Sequence, residues 1–134
     1  MLLGTRDLDP AEKISLGKSK AKVLTIEQVK HIGAAEAMKE AVEFLKPNVD
    51  SVYFHMDVDV LDPEEMSALI LPVMNGLTLK ECESALNAVA KSGMLCGAAF
   101  MVFNARKDPT RTESRKIVEL AKHLAANLSL MKGT

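Results

Sequence analysis

The sequence predicts an α/β fold: a parallel sheet with helices on both faces. Three observations carry this. Strand-length apolar runs alternate with helix-length amphipathic segments along the 134 residues. The run at residues 52–59 is apolar on both faces except at its end, which suits a central parallel strand covered on each side. Polar segments follow the strand-like runs, at the carboxyl ends where parallel sheets bind their ligands.

Taken in order, residues 1–4 read as a short buried strand and residues 5–10 as a polar turn. Residues 11–21 carry charge and Gly17, and read as a loop or a short, poor helix. Residues 22–25 form the next strand, leading into a short helix at 26–31 that Gly33 ends. Over 34–46, Ala35, Met38, Val42 and Leu45 fall on one stripe, and Pro47-Asn48 stops the helix. The 52–59 strand follows, then a long loop at 63–76. Thr78 and Glu81 have capping-box spacing and open a helix whose stripe is Leu79, Cys82, Leu86 and Val89. Ser92-Gly93 closes it, and 97–103 is another strand. After a polar stretch at 104–111, Thr112 is placed to cap a last helix with stripe Ile117, Leu120, Ala121, Leu124 and Leu128.

The most informative stretch is Val52-Tyr-Phe-His-Met-Asp-Val-Asp-Val-Leu-Asp-Pro63, where an apolar run ends in Asp57, Asp59 and Asp62. In a strand the period of two puts Asp57 and Asp59 on one face. Two close carboxylates in a partly buried site need a positive charge between them, and their oxygens suit Mg²⁺, Ca²⁺ or Mn²⁺. An Asp-rich strand end before a proline is also an ordinary turn, and both readings stand at this point. His55 shares the parity of the aspartates as a candidate supporting partner; a lone strand histidine is more commonly a core residue. Asn104 and the 5–9 turn belong to the same sheet end.

Composition narrows the function classes. At 48% hydrophobic and 26% charged, with net charge −1, the chain has the make-up of one globular domain. That charge offers no footprint for nucleic acid or for an anionic membrane, and no run reaches the about 20 apolar residues of a membrane helix. One Tyr and no Trp leave no stacking platform for single strands. Cys82 and Cys96 lack metal-ligand spacing and read as free thiols, which favours the cytoplasm. No signal peptide opens the chain, and a strand-like start without a leading segment is the pattern expected of a fragment or half-sized relative.

His55-Met-Asp-Val-Asp-Val-Leu-Asp-Pro63, followed at a fixed gap by Leu71-Pro-Val-Met-Asn-Gly-Leu-Thr78, resembles the arginase/agmatinase (ureohydrolase) family. Gly4-Thr-Arg-Asp-Leu-Asp-Pro-Ala-Glu12 and Gly97-Ala-Ala-Phe-Met-Val-Phe-Asn104 are similar to further family segments. The resemblance implies that residues 1–134 are a single arginase-like α/β domain of three-layer type, truncated to the carboxyl-terminal half of a full-length member. It implies a binuclear Mn²⁺ hydrolase of guanidino or amidino C–N bonds that releases urea. Two metal ions about 3.5 Å apart would acidify a water. By position, Asp57 and Asp59 are the metal ligands, Asp59 chelating and Asp57 bridging. Asp62 fixes a turn, and Arg6 and Asp7 are structural.

The departures weigh against activity of the chain alone. The family's other ligands lie in an amino-terminal half without counterpart here, and His31 and His123 sit on helices with no carboxylate at ligand spacing. The guanidinium-gripping glutamate is Val102, the threonine before the proline is Leu71, the Gly-Gly pair is Asn75-Gly76, and the proline after Asn104 is Ala105. No catalytic or substrate-binding residue is assigned. The expected partners are a small guanidino compound if active, and a second copy or the missing amino-terminal half. The alternatives are a non-catalytic binding or assembly subunit that keeps the fold, and an unrelated receiver-like domain with an Asp-based Mg²⁺ site.

Overall fold

The computed structural model describes residues 1–132, with side chains through residue 128. Its elements run β1 (Leu2–Thr5), α1 (Pro10–Lys18), β2 (Val23–Thr25), α2 (Ile26–Ile32), α3 (Ala34–Leu45), β3 (Val52–Asp57), α4 (Leu79–Lys91), β4 (Leu95–Met101) and α5 (Thr112–Lys132). Short 3₁₀ turns occupy Val58–Val60 and Ala105–Lys107.

The α/β class and the parallel direction of the strands agree with the sequence. The single continuous sheet does not: among the described residues the strands form two parallel pairs, β1–β2 and β3–β4. Nor is β3 covered on both sides. Val52 and Met56 are buried, while Tyr53, at 63% exposure, and His55 and Asp57 on the alternate parity are open. An apolar strand is therefore buried on one face and bare on the other.

Helix α1 forms where a loop was the other option. It buries no residue, so local chemistry must hold it: Asp9 accepts from the Glu12 N–H at 2.8 Å and Glu12 accepts from the Asp9 N–H at 2.9 Å, with Pro10 opening the first turn. The Thr25–Gln28 and Thr78–Glu81 boxes start α2 and α4 in the same way.

On α3 the buried face is Ala34, Ala37, Met38, Ala41 and Val42, rotated from the expected stripe so that Ala35 and Leu45 are only half-buried. The small residues let α3 lie close to α4, which presents Cys82, Ala85, Leu86 and Val89. Burial pushes the Cys82 thiol up to about 12, so it packs as an inert apolar group. Leu120 and Leu124 of α5 complete that side of the core. His123 meets the Asn87 side-chain oxygen at 2.7 Å, tying α5 to α4.

The 63–76 segment is packed rather than free: Met66, Ala68 and Leu69 are fully buried. The Asn104 N–H donates to the Ala68 carbonyl at 2.9 Å, and Lys116 Nζ donates to the Glu65 carbonyl at 2.7 Å.

Thr112 is the first residue of α5 and not its cap. The cap is Asp108, whose carboxylate accepts from the N–H groups of Glu113 (3.1 Å) and Ser114 (2.8 Å). Burial pushes that carboxyl up, but hydrogen bonds from Ser114, Glu113 and Thr112 outweigh it and hold the group below the usual aspartate range. A folded-state pKa below the unfolded one stabilises fully above the unfolded value, about 3.9, and is lost as pH falls through the folded value. Asp108→Ala is therefore expected to lower the melting temperature at pH 7 by roughly 5 °C. The gap to the parent should close as the pH is taken towards 2, and a gap that persists there would remove the carboxylate from the explanation.

Candidate metal site

Asp57 is the last residue of β3, and Asp59 lies two residues beyond it, in the 3₁₀ turn. The strand parity used to pair them therefore does not apply. They are brought together by the turn instead, and with His55 and Arg6 they border one end of a groove between β1 and β3.

His55 Nε2 lies 2.9 Å from Asp57 Oδ1 and so orients that carboxylate. Both side chains are about half exposed. Asp59 is more enclosed. Burial first, and the Asp57 carboxylate second, push the Asp59 carboxyl above the usual aspartate range, while Arg6 pulls it back. The shift is thus mainly one of burial, with the neighbouring carboxylate adding to it.

Arg6, at the end of β1, does not pair with either carboxylate. Its Nη2 donates to the carbonyls of Asp59, Leu61 (3.4 Å) and Val73 (3.0 Å), and Nη1 to that of Val60 (3.5 Å). The guanidinium is thus a clamp on the backbone that carries Asp59, in agreement with its structural reading. Asp62 is structural as well. Its Oδ1 accepts from the Glu64 N–H and its Oδ2 from the Gly76 N–H, each at 3.0 Å, closing the two ends of the 62–76 segment.

Two departures from the family motifs have a backbone consequence. Asn75 sits at φ 65°, a left-handed conformation that asparagine tolerates, so the loss of the first glycine of the pair is absorbed. Val102 sits at φ 66°, where a β-branched residue is strained. Strand β4 ends there, and the position expected to grip a guanidinium holds an isopropyl group. Leu71, at 69% exposure, adds no polar group. Asn104 is engaged locally, its side chain accepting from the Arg106 N–H at 3.2 Å.

The donor set can be tested against a metal. Asp57 and Asp59 offer the oxygen chemistry that Mn²⁺ favours, but no group of three or more His, Cys, Asp or Glu side chains among the described residues could hold an ion. The residues present fit part of a site and do not complete one. Two further features beside it carry no signal in the sequence: Thr5 Oγ1 and Arg6 Nε are buried without a hydrogen-bond partner among the described residues.

Comparison with known proteins gives a consistent result. A family model described as the arginase family matches residues 1–129. The arginase of Brevibacillus brevis is 31% identical over 120 residues, covering 90% of this chain and 40% of that protein. The crystal structure of arginase from Bacillus subtilis superposes with a TM-score of 0.84 at 27% identity, covering 92% of this chain and 43% of that one. The formimidoylglutamase of Bacillus subtilis, at 18% identity and TM-score 0.86, shares the fold. The chain spans about 40% of the length of the curated relatives it matches.

Proposed function

On the premise that this chain belongs to the arginase family, we propose that it carries one part of a manganese-dependent hydrolase site for guanidino or amidino C–N bonds. Asp57 and Asp59 are its metal ligands, and the remaining ligands come from outside these residues. The observation that carries this reading is the pair itself: two carboxylates at the end of β3, one oriented by His55 and the other held up in pKa by burial and by its neighbour. The receiver-like alternative falls with the family match.

Manganese, when bound in such a site, supplies an acidified water for attack on a planar carbon. What the chain itself does is narrower. His55 orients Asp57, and Arg6 fixes the backbone under Asp59. Val102 and Leu71 offer a guanidinium no carboxylate or hydroxyl. The isolated chain is therefore proposed to be inactive. The apolar Val102 also favours a second reading, a non-catalytic binding or assembly subunit of the same fold.

Calorimetric titration with Mn²⁺ tests this. The isolated chain should bind with a dissociation constant of about 10⁻⁴ M or weaker, as a site of few ligands does. Asp57→Ala should abolish that binding. Unchanged affinity in the variant would remove the aspartates from the site, and tight binding of two ions by the chain alone would overturn the reading of an incomplete centre. Urea release from arginine by the isolated chain is expected to be nil.

A further inference from the structure

We infer that the tip of the 63–76 segment, with Ile70, Leu71 and Met74, joins Met101 at the end of β4 in a docking surface for an acidic amphipathic segment of a partner protein. The inference deepens the second reading above, a binding subunit without a grip for guanidinium, and says what such a subunit would hold.

The tip is held in place although its side chains are bare. Met66, Ala68 and Leu69 are fully buried, whereas Ile70, Leu71 and Met74 are each more than half exposed. Cationic donors clamp the backbone on both sides of the tip. Lys107 Nζ donates to the Leu69 carbonyl at 2.9 Å, and Arg6 Nη2 donates to the Val73 carbonyl at 3.0 Å. An isolated bridge between Leu69 and Phe103 brings the same stretch against the end of β4. There Met101, half exposed, is the register partner of Asp57. An apolar patch on a clamped backbone is already ordered, so covering it costs less conformational entropy than covering a free loop. The two thioethers let it adapt to the shape of what covers it.

These four side chains lie outside the groove between β1 and β3. A small ligand needs a pocket that encloses it, whereas an open apolar surface is covered by another chain. The charges beside the tip give that chain its sign. Residues 66–80 contain no acidic residue. Residues 104–116 carry five cations and two carboxylates. They are laid along 65–69 by the Asn104–Ala68, Glu113–Ser67 and Lys116–Glu65 hydrogen bonds. Both carboxylates are engaged: Asp108 caps α5, and Glu113 meets Lys116 and the Ser67 N–H. Arg106, Arg111 and Arg115 are exposed and form no ion pair among the described residues. Methionine and arginine around exposed aliphatic groups are the composition of a protein interface, and unpaired guanidinium groups favour aspartate and glutamate at its rim.

A synthetic helix of about 18 residues, with leucine on one face and glutamate on the other, is the probe, and its lysine counterpart the control. In methyl NMR spectra of the chain the acidic peptide should shift Ile70, Leu71, Met74 and Met101. It should bind at least about tenfold tighter than the lysine peptide, with the difference shrinking as salt is added. Leu71→Ser, and Arg106→Glu combined with Arg111→Glu, should each weaken it about tenfold, at exposed positions where the melting transition should stay cooperative. Equal affinity for the two peptides, or no shift at these four residues, would overturn the inference. So would shifts of the same methyl groups by vesicles containing phosphatidylserine, or by self-association of the chain, in the absence of any by the peptide. Asp57→Ala should leave peptide binding unchanged, so the metal pair is tested apart from this surface. Tight binding of two Mn²⁺ ions by the chain would count against the second reading alone.

Discussion

Gly76→Ala is expected to destabilise the protein by about 3–5 kcal/mol, a large share of the stability of a domain this size. The cause is steric and lies in the backbone. A Cβ at this position would stand 2.4 Å from both the Asp62 nitrogen and the Leu61 carbonyl carbon, and 2.6 Å from the Leu61 oxygen. None of these atoms belongs to a side chain that can swing aside. Moving the Leu61–Asp62 peptide breaks a connected set of hydrogen bonds. The Asp62 N–H donates to the Leu77 carbonyl at 2.9 Å, the Leu77 N–H to the Val60 carbonyl at 2.8 Å, and the Gly76 N–H to Asp62 Oδ2. Leu61 and Leu77, both buried, would lose their seat in the core. Gly17→Ala is the control, because nothing lies within 4 Å of its added methyl group in α1, and it should stabilise by about 0.5–1 kcal/mol. Urea denaturation of the two variants measures both. A Gly76→Ala midpoint close to the parent's would show that the peptide yields at little cost.

This position also shows what a sequence can and cannot disclose. That residue 76 is a glycine in a D-x-D-x-x-D-P…G-L-T pattern is plain from the letters. That it must be one follows only when residues 61–62 are seen against its Cα, a contact 14 residues away in the chain. Helices α3, α4 and α5 were legible because their apolar stripes and caps are local signals, and α1 was ambiguous because it has caps without a stripe. The division into two strand pairs was not legible. Periodicity says which faces of a strand are apolar, not which strand lies beside it. The alternate face of β3, which carries Tyr53, His55 and Asp57, is open for that reason: the apolar residues of the strand lie on the other parity, at Val52, Phe54 and Met56. The strand parity that pairs the aspartates in the sequence ends at Asp57, two residues before Asp59, and it is the 3₁₀ turn that brings Asp59 to the same groove end. Asp108 is not legible as a cap because a cap is expected next to its helix, and here the carboxylate reaches past three residues to the N–H groups of Glu113 and Ser114.

Arg6 is expected to be the costliest charged side chain to remove. Arg6→Ala should lose about 3 kcal/mol, in the range for hydrogen bonds from a charged donor to partly buried acceptors. The carbonyls of Asp59, Val60, Leu61 and Val73 all lose their guanidinium donor together. Arg6→Lys should recover only a part. An ammonium is a single point on a flexible stem, whereas the planar fork meets carbonyls from two separate segments at once. The loss has a direction in the fold as well as a size. Arg6 belongs to the β1–β2 pair and its acceptors follow β3, so the clamp joins the two strand pairs across the open groove. Without it the β1–β2 pair should open independently before the β3–β4 pair, which keeps its own ladder and its packing on α4. Native-state hydrogen exchange in Arg6→Ala should therefore show faster exchange over Leu2–Thr5 and Val23–Thr25 than over Leu95–Met101. Uniform acceleration across all four strands would mean that the apolar core, and not this guanidinium, is what couples the two strand pairs.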